Sequence, residues 1–192
     1  MEPAIDEAKA SLRAKVRAVL DQLSPTARET QARQAGERLA RQPLYQRATS
    51  ILFFAPLPDE LDIWPLVIAA GKAGKVVALP RFESRTGSYV ACQVSRLEKD
   101  LQTGRFGIRE PAAHCADLRL NRLDLILVPG VAFDLLGRRL GRGRGFYDRL
   151  LEAVHGTTCG VAFDGQILSE IPVAPHDVRV NCIITPTRWI EP

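Results

Sequence analysis

The chain has 192 residues, of which 46% are hydrophobic and 25% are charged, and its formal net charge is +4. This length fits one domain, and average hydrophobicity with a small net charge excludes wholesale disorder. No apolar stretch approaches the roughly 18 residues that a membrane helix requires, and residues 1–30 lack the apolar core of a secretory signal. We therefore expect residues 1–192 to form a single cytoplasmic domain without a membrane partner.

The cysteines and the basic charge indicate which kinds of metal site and ligand to expect. Cys92, Cys115, Cys159 and Cys182 form no CxxC pair, so we expect reduced, buried thiols rather than a zinc site. The sequence pI of about 9.1 indicates an anionic small-molecule ligand as readily as nucleic acid.

Two amphipathic helices are predicted at the start of the chain. An apolar stripe at three- and four-residue spacing predicts a helix over residues 2–23, and its members are Ile5, Leu12, Val16, Val19 and Leu23. A second helix is expected from near Thr26, which has the spacing of a capping box with Glu29, to about Arg41. It should stop before Pro43.

Strand-length apolar runs alternate with helical segments through the rest of the chain. The predicted strands are residues 50–55, 75–80, 123–129, 157–163 and 181–186. Helices are expected near 63–73 and 146–154, with a hairpin turn at Thr86-Gly87 and largely loop structure over 95–117. This alternation predicts an α/β fold, a three-layer α/β/α sandwich with a mainly parallel sheet. In such sheets, ligands bind outside the carboxyl ends of the strands.

A glycine- and arginine-rich loop follows the predicted strand at 123–129. Its glycines Gly141, Gly143 and Gly145 alternate with Arg142 and Arg144 directly before a helix. Glycine allows positive φ and close backbone approach, successive N–H groups can form an anion-binding nest, and arginine suits phosphate. The loop contains neither a Walker A nor a GxGxxG motif, so an RNA-binding segment and a plain solvated loop stay open as alternatives. Its shortness, between a strand and a helix, favours a phosphate site.

Two acids are candidate magnesium ligands. Asp148 lies just inside the predicted helix, where a carboxylate either complements the helix dipole or binds Mg²⁺ beside phosphates. Asp177 lies in the segment APHDVRV and is either a turn residue or the second acid of such a site. We assign no proton-transfer role to the neighbouring His176.

Five motifs in order resemble the 5-formyltetrahydrofolate cyclo-ligase (methenyltetrahydrofolate synthetase) family, and the resemblance spans nearly the whole chain. The strongest is PGVAFD…GRRLGRGRGFYDRLL, and the others are K-x-x-L-R (Lys9, Leu12, Arg13), the DE of PLPDEL, FGIREP (Phe106 to Pro111) and His176-Asp177. The resemblance implies the three-layer fold that sugar-phosphate isomerases and coenzyme A transferases share. It also implies ATP-dependent conversion of 5-formyltetrahydrofolate to 5,10-methenyltetrahydrofolate, with ADP and phosphate as products.

The resemblance also assigns residues. It implies ATP contacts at Lys9, Arg13, Arg139, Gly141, Arg142, Gly143, Arg144, Gly145, Phe146 and Tyr147. It implies folate contacts at Ala55, Glu60, Arg142, Gly143, Gly145 and Phe146, with Glu60 accepting from the pterin N–H groups. Asp148 and Asp177 match the Mg²⁺ positions. The implied partner is a reduced folate, with or without a polyglutamate tail, and no nucleic acid is expected.

The family's chemistry needs charge stabilisation rather than a protein nucleophile. We therefore assign no nucleophile and give Arg142 an electrostatic role. The sequence departs from the family pattern where Phe146 replaces a common tyrosine and Asn181 replaces a second acid. Two alternative functions stay open. One is a non-catalytic nucleotide- or RNA-binding protein of this fold, and the other is a sugar-phosphate or coenzyme A enzyme, for which Glu60 is the one candidate catalytic carboxylate.

Overall fold

A mostly parallel sheet forms the centre of the computed structural model, which describes residues 2–104, 107–174 and 177–192. The α-helices in these ranges are α1 (Glu2–Leu20), α2 (Pro25–Ala40), α3 (Pro43–Arg47), α4 (Trp64–Lys72), α5 (Leu97–Asp100) and α6 (Phe146–Glu152). The strands are β1 (Ser50–Leu52), β2 (Val76–Glu83), β3 (Ser88–Gln93), β4 (Leu101–Thr103), β5 (Arg109–Pro111), β6 (Asp117–Leu118), β7 (Leu125–Pro129), β8 (Ala132–Asp134), β9 (Arg139–Leu140), β10 (Thr157–Val161), β11 (Ile167–Leu168), β12 (Cys182–Ile184) and β13 (Trp189–Ile190).

The large sheet has eight strands in the order β13-β12-β10-β7-β1-β2-β3-β6. The five strands from β12 to β2 pair in parallel, and the outer strands β13, β3 and β6 pair antiparallel. Strands β8, β9 and β11 form a small second sheet, and β4 pairs with β5. The predicted fold class is confirmed, because helices cover both faces of this sheet.

Alternate side chains of the central strands enter two separate cores. Leu125 and Leu127 belong to the core beneath α1, α2 and α4, whereas Ile126 and Val128 belong to the core beneath α6. A strand that is buried on both faces has a continuous apolar sequence, because neither of its faces is exposed to water. That is why residues 50–55 and 123–129 were recognisable as inner strands.

The first helices differ in detail from the prediction. Helix α1 ends at Leu20, and α2 begins at Pro25 with Ser24 as its N-cap. The predicted capping box at Thr26 is wrong, because the Ser24 hydroxyl accepts the hydrogen bond from the Ala27 N–H at 3.1 Å. Pro43 is the first residue of the short helix α3. Proline is tolerated at this position because the N–H of a first helical residue has no hydrogen-bond partner within the helix.

Strand β2 continues past the predicted end at Pro80 and forms the expected hairpin with β3. Strand β1 pairs only with the part of β2 from Val76 to Ala78, so Pro80 has a strand partner on one side alone and its missing N–H is tolerated. Segment 95–117 is more regular than predicted, because α5 and strands β4 and β5 lie within it and β6 begins at its last residue.

Asp100 organises the start of α5 through its side chain. Its Oδ2 accepts hydrogen bonds from the backbone N–H groups of Arg96 at 2.8 Å and Ser95 at 2.9 Å. These two bonds lower the pKa of Asp100 from 3.8 to about 2. The carboxylate is therefore a structural anchor that depends on its charged form.

The four cysteines lie in the interior of the protein. Each cysteine is buried and free of disulfides, and burial raises the pKa of Cys92 to about 12. The Cys92 thiol therefore stays protonated at neutral pH, and buried thiols pack as small apolar groups. Among the described residues, no helix combines the length and the apolar character needed to cross a bilayer.

Candidate active site

A cavity of about 280 Å³ lies where the central strands end. Ala55 follows β1, Pro80 belongs to β2, and Gly130 follows β7, so three neighbouring strands deliver residues to its wall. The same cavity is lined by residues from the glycine- and arginine-rich segment: Arg139, Gly141, Arg142, Arg144, Gly145, Phe146, Tyr147 and Asp148. The site therefore lies at the carboxyl edge of the sheet, where the strand–helix alternation predicts it.

The loop that carries these residues is held in a defined shape. Gly143 and Gly145 have φ angles of +88° and +63°, a region that other residues rarely adopt. The Arg13 Nε donates to the Gly141 carbonyl at 2.8 Å, which ties α1 to the loop. Before this turn, β9 pairs with β8, a short hairpin that the sequence pattern did not reveal. The glycine turn, the hydrogen bond from Arg13 and the β8–β9 hairpin therefore define the conformation of this loop.

Arg142 connects this loop to the segment after β1. Its guanidinium donates to Asp59 Oδ1 at 2.6 Å and to Glu60 Oε1 at 3.2 Å. The other oxygen of Glu60 accepts from the Leu57 N–H at 3.0 Å. Burial raises the pKa of Glu60, whereas these two donors lower it, and the net pKa is above its usual value. Both oxygens of Glu60 already have partners within the protein.

Arg139 and Asp148 form an ion pair at the wall of the cavity. The Arg139 side chain is only 3% exposed, and its NH2 group lies 2.6 Å from Asp148 Oδ1. Its guanidinium also lies over the Tyr147 ring, 5.9 Å from the centroid. Asp148 therefore neutralises a buried cation as well as lying in the first turn of α6. The predicted metal ligand and the predicted ATP ligand contact each other directly.

Lys9 and Asp177 also pair with each other. The Lys9 Nζ lies 2.5 Å from Asp177 Oδ2, and the Lys9 side chain is buried while that of Asp177 is 13% exposed. The same Asp177 oxygen accepts from the Ala174 N–H at 2.7 Å. Neither residue lines the cavity, and nor do Arg13 and Gly143, although Arg13 contacts the loop. Asp177 is therefore held by Lys9 and Ala174 and does not line this cavity.

Aromatic rings pack along another side of the cavity. The Phe146 ring makes edge contacts with Phe82 at 5.4 Å and with Tyr89 at 5.4 Å between centroids. Tyr89 also contacts Tyr147, and burial holds the pKa of Tyr147 well above its usual range. The edge-to-face contacts of Phe146 use ring edges and faces, so phenylalanine fills this place without a hydroxyl.

Asn181, the other departure from the family pattern, has a structural role. Its Oδ1 accepts from both the Thr158 N–H and the Thr158 hydroxyl at 2.8 Å. These bonds join the start of β10 to the residue before β12. Predicted motif residues Phe106 and His176 lie outside the described residues.

Sequence reasoning gave no role to Arg109 and Glu110, yet both line the cavity. The Arg109 guanidinium lies over the Trp64 ring, 4.7 Å from its centroid. Glu110 is buried, and its burial raises its pKa. The motif FGIREP was the available signal, because it places a cation and an acid in one short strand, but nothing in the pattern shows which end of the sheet that strand reaches.

A model of the 5-formyltetrahydrofolate cyclo-ligase family matches residues 5–186. The chain belongs to this family. It is 34% identical over 173 residues to 5-formyltetrahydrofolate cyclo-ligase of Escherichia coli K12, covering 88% of this chain and 95% of that protein. It is 30% identical to the Mus musculus enzyme of that name, with 94% of each chain covered.

Its fold is also similar to a solved relative. The NMR structure of 5,10-methenyltetrahydrofolate synthetase from Aquifex aeolicus matches with a TM-score of 0.87 at 32% identity, covering 95% of this chain and 92% of that one. The motif-based resemblance is therefore confirmed at the level of the family and of the fold.

Proposed function

We propose that this chain converts 5-formyltetrahydrofolate and ATP to 5,10-methenyltetrahydrofolate, ADP and phosphate. The observation that carries the proposal is the contact between Arg142 and Glu60, at 3.2 Å, inside one cavity. It joins the glycine- and arginine-rich loop to the segment after β1, which forms another part of the wall of the same cavity. A nucleotide site and a folate site that share this wall would bring the two substrates together.

The chemical difficulty is an unreactive formamide. In the proposed reaction the formyl oxygen attacks the γ-phosphorus of ATP, the bond to the β,γ-bridging oxygen breaks, and ADP leaves. N10 then attacks the former formyl carbon, phosphate departs with the original formyl oxygen, and the N10 proton is lost as the ring closes. No protein nucleophile is required, and positioning and charge stabilisation carry the catalysis.

The loop residues supply those two needs. Arg142 and Arg144 line the cavity with cationic groups, and Gly143 and Gly145 allow main-chain N–H groups to approach phosphate oxygens. Arg142 is held in place by Asp59 and Glu60, so its charge is oriented before substrate arrives. One preorganised donor to a developing negative charge typically contributes about 3–4 kcal/mol to catalysis.

Room for the two substrates also supports the proposal. The cavity of about 280 Å³ adjoins a groove of about 940 Å³, and the two share Ala55, Leu57, Glu60, Ile108 and Arg109 in their walls. A bicyclic pterin suits the smaller space. The remainder of the folate would extend into the larger groove.

The donor set at Asp148 fits Mg²⁺, which binds proteins through one or two carboxylates and otherwise through phosphates and water. Mg²⁺ bound there would neutralise phosphate charge. Lys9 lies one helical turn before Arg13 and thus on the side of α1 that meets the loop. An ATP contact from Lys9 and a metal contact from Asp177 belong to this proposal, and the two side chains already contact each other through Lys9 Nζ and Asp177 Oδ2.

The test follows the near-ultraviolet absorbance of the methenyl product in a mixture of protein, ATP, Mg²⁺ and 5-formyltetrahydrofolate. Turnover that requires both ATP and Mg²⁺ supports the proposal. Folded protein that gives no product, or that binds oligonucleotides tightly with a steep salt dependence and without turnover, contradicts it.

The metal proposal has its own variant. Asp148→Asn should shift the Mg²⁺ titration of turnover to higher concentration, because one carboxylate ligand is lost. Glu152→Gln is the matched control, since Glu152 is exposed on the same helix. Unfolding of each variant in urea separates a loss of Mg²⁺ affinity from the destabilisation expected when Arg139 loses its partner. An unchanged Mg²⁺ titration in Asp148→Asn would remove this residue from the metal site.

A further inference from the structure

Glu110 is a buried acid in the cavity wall whose hydrogen-bonding capacity is largely unused. It is 6% exposed, in strand β5. Its Oε2 lies 3.5 Å from the Phe82 nitrogen, a long contact, while its Oε1 is buried with no hydrogen-bond partner among the described residues. A buried acceptor left without a donor destabilises a fold, so such atoms are rare and call for a physical reason.

The surrounding backbone holds the carboxylate in this position. Strand β5 pairs with β4, and Glu110 lies opposite Gln102 in that register. At Gly104, just beyond β4, an added Cβ would lie 2.5 Å from Glu110 Cγ and closer still to its carboxyl group. The side chain of Glu110 therefore occupies the space that glycine leaves vacant, which makes its placement a property of the fold.

The two glutamates of the cavity, Glu60 and Glu110, differ in how many further hydrogen bonds their carboxylate oxygens can accept. Glu60 already accepts from Arg142 through one oxygen and from Leu57 through the other. Glu110 has no ion-pair partner within salt-bridge distance among the described residues, and the nearby Arg81 donates instead to Asp117 at 2.8 Å. An incoming ligand that carries N–H donors would therefore find its acceptor at Glu110 rather than at Glu60.

The proposed substrate carries a matching group. A reduced pterin has two adjacent donors, N3–H and the 2-amino group, which form a planar fork. A carboxylate accepts such a fork through both oxygens, and hydrogen bonds to a charged group are stronger than those between neutral groups. Burial of the pair excludes competing water and makes the discrimination against ligands without the fork larger.

We propose that Glu110 accepts the N3–H and 2-amino hydrogen bonds of the pterin and thereby determines the specificity of the folate site. This inference rests on the proposed function. It replaces Glu60 as the acceptor of the pterin N–H groups and leaves Glu60 to orient Arg142. The raised pKa of Glu110 agrees with a carboxyl group that lacks a donor until a ligand arrives.

The experiment compares wild-type protein, Glu110→Gln and the exposed control Glu98→Gln with two ligands. These are 5-formyltetrahydrofolate and its analogue in which hydrogen replaces the 2-amino group. Equilibrium binding of each ligand is measured by quenching of protein fluorescence, and KM is measured for folate and for ATP. Urea unfolding of each variant accompanies the kinetics.

Glu110→Gln should weaken folate binding about tenfold to a hundredfold, the range for a hydrogen bond to a charged group, with an unchanged KM for ATP. The analogue should lose a similar factor on the wild-type protein and no further factor on Glu110→Gln. Glu98→Gln should bind both ligands as the wild type does. A merely structural role for Glu110 would instead penalise both ligands equally.

Wild-type affinity that is equal for the two ligands would overturn the inference, and this arm needs no variant to fold. Equal loss of both ligands in Glu110→Gln would overturn it as well. Wild-type protein that neither binds nor converts 5-formyltetrahydrofolate would instead refute the proposed function. The two failures are therefore distinguishable.

Discussion

Replacing Arg142 with alanine tests the coupling between the loop and Glu60. The Glu60 side chain is 9% exposed, and Arg142 is its only ion-pair partner within 4.0 Å among the described residues. Burial already raises the pKa of Glu60, and Arg142 opposes that rise. Arg142→Ala should therefore let the pKa of Glu60 move further upward.

The size of the shift follows from the geometry. An opposite charge at this distance lowers a carboxyl pKa by about 1–3 units. The Arg142 side chain is 39% exposed, so water screens it and the lower end of that range applies. We expect a shift of about one unit, equivalent to ~1.4 kcal/mol. Loss of the cation should also lower turnover at least about tenfold.

The assay follows the side-chain carboxyl carbon of Glu60 by NMR from acid to neutral pH and measures kcat/KM for 5-formyltetrahydrofolate beside it. The titration midpoint of Glu60 should move to higher pH in Arg142→Ala, because the neighbouring positive charge is gone. Arg122→Ala is the control, because it removes the same charge at an exposed position just before the amino end of β7. Unfolding temperatures should be nearly equal in all three proteins.

One result would refute this reasoning. If the titration midpoint of Glu60 in Arg142→Ala equals that of the wild type, Arg142 does not influence the ionisation of Glu60. A loss of turnover with an unmoved midpoint would keep Arg142 in the phosphate site and remove its link to Glu60.

Two further predictions concern stability. Lys9→Met should lower the free energy of unfolding by about 3 kcal/mol, the lower end for breaking a buried ion pair, because Ala174 still donates to Asp177. Urea unfolding measures this, and a Lys9→Met/Asp177→Leu variant no more stable than the single variant contradicts it. The depressed pKa of Asp100 means that its stabilising charge is fully present above pH 3.8 and is lost as pH falls towards about 2. Asp100→Asn should therefore flatten the loss of stability over that acid range, and parallel slopes for the two proteins would refute the anchor role.

Local patterns were sufficient for the central sheet. Residues 51–55 and 125–129 are continuous apolar runs because both faces of an inner parallel strand are buried, and this property is visible without knowing the neighbours. The turn at Gly143 and Gly145 was predictable for a similar reason, since alternating glycines permit positive φ. The helix boundaries were less certain, because Ser24 and Thr26 are both good caps and only the hydrogen bond to Ala27 distinguishes them.

The sequence by itself determined the five parallel strands of the large sheet, the helices α1, α2, α4 and α6, the glycine turn and the family motifs, all of which depend on residues close together in the chain. Tertiary structure alone decided the partners of the charges. Arg142 meets Glu60 from 82 positions away, and Lys9 meets Asp177 from 168 positions away. It also decided that Glu110 is buried at the site with an unused oxygen. A charged residue looks the same in a sequence whether it is solvated, paired or left to bind a ligand, because its energy depends on the dielectric and the groups that folding brings around it.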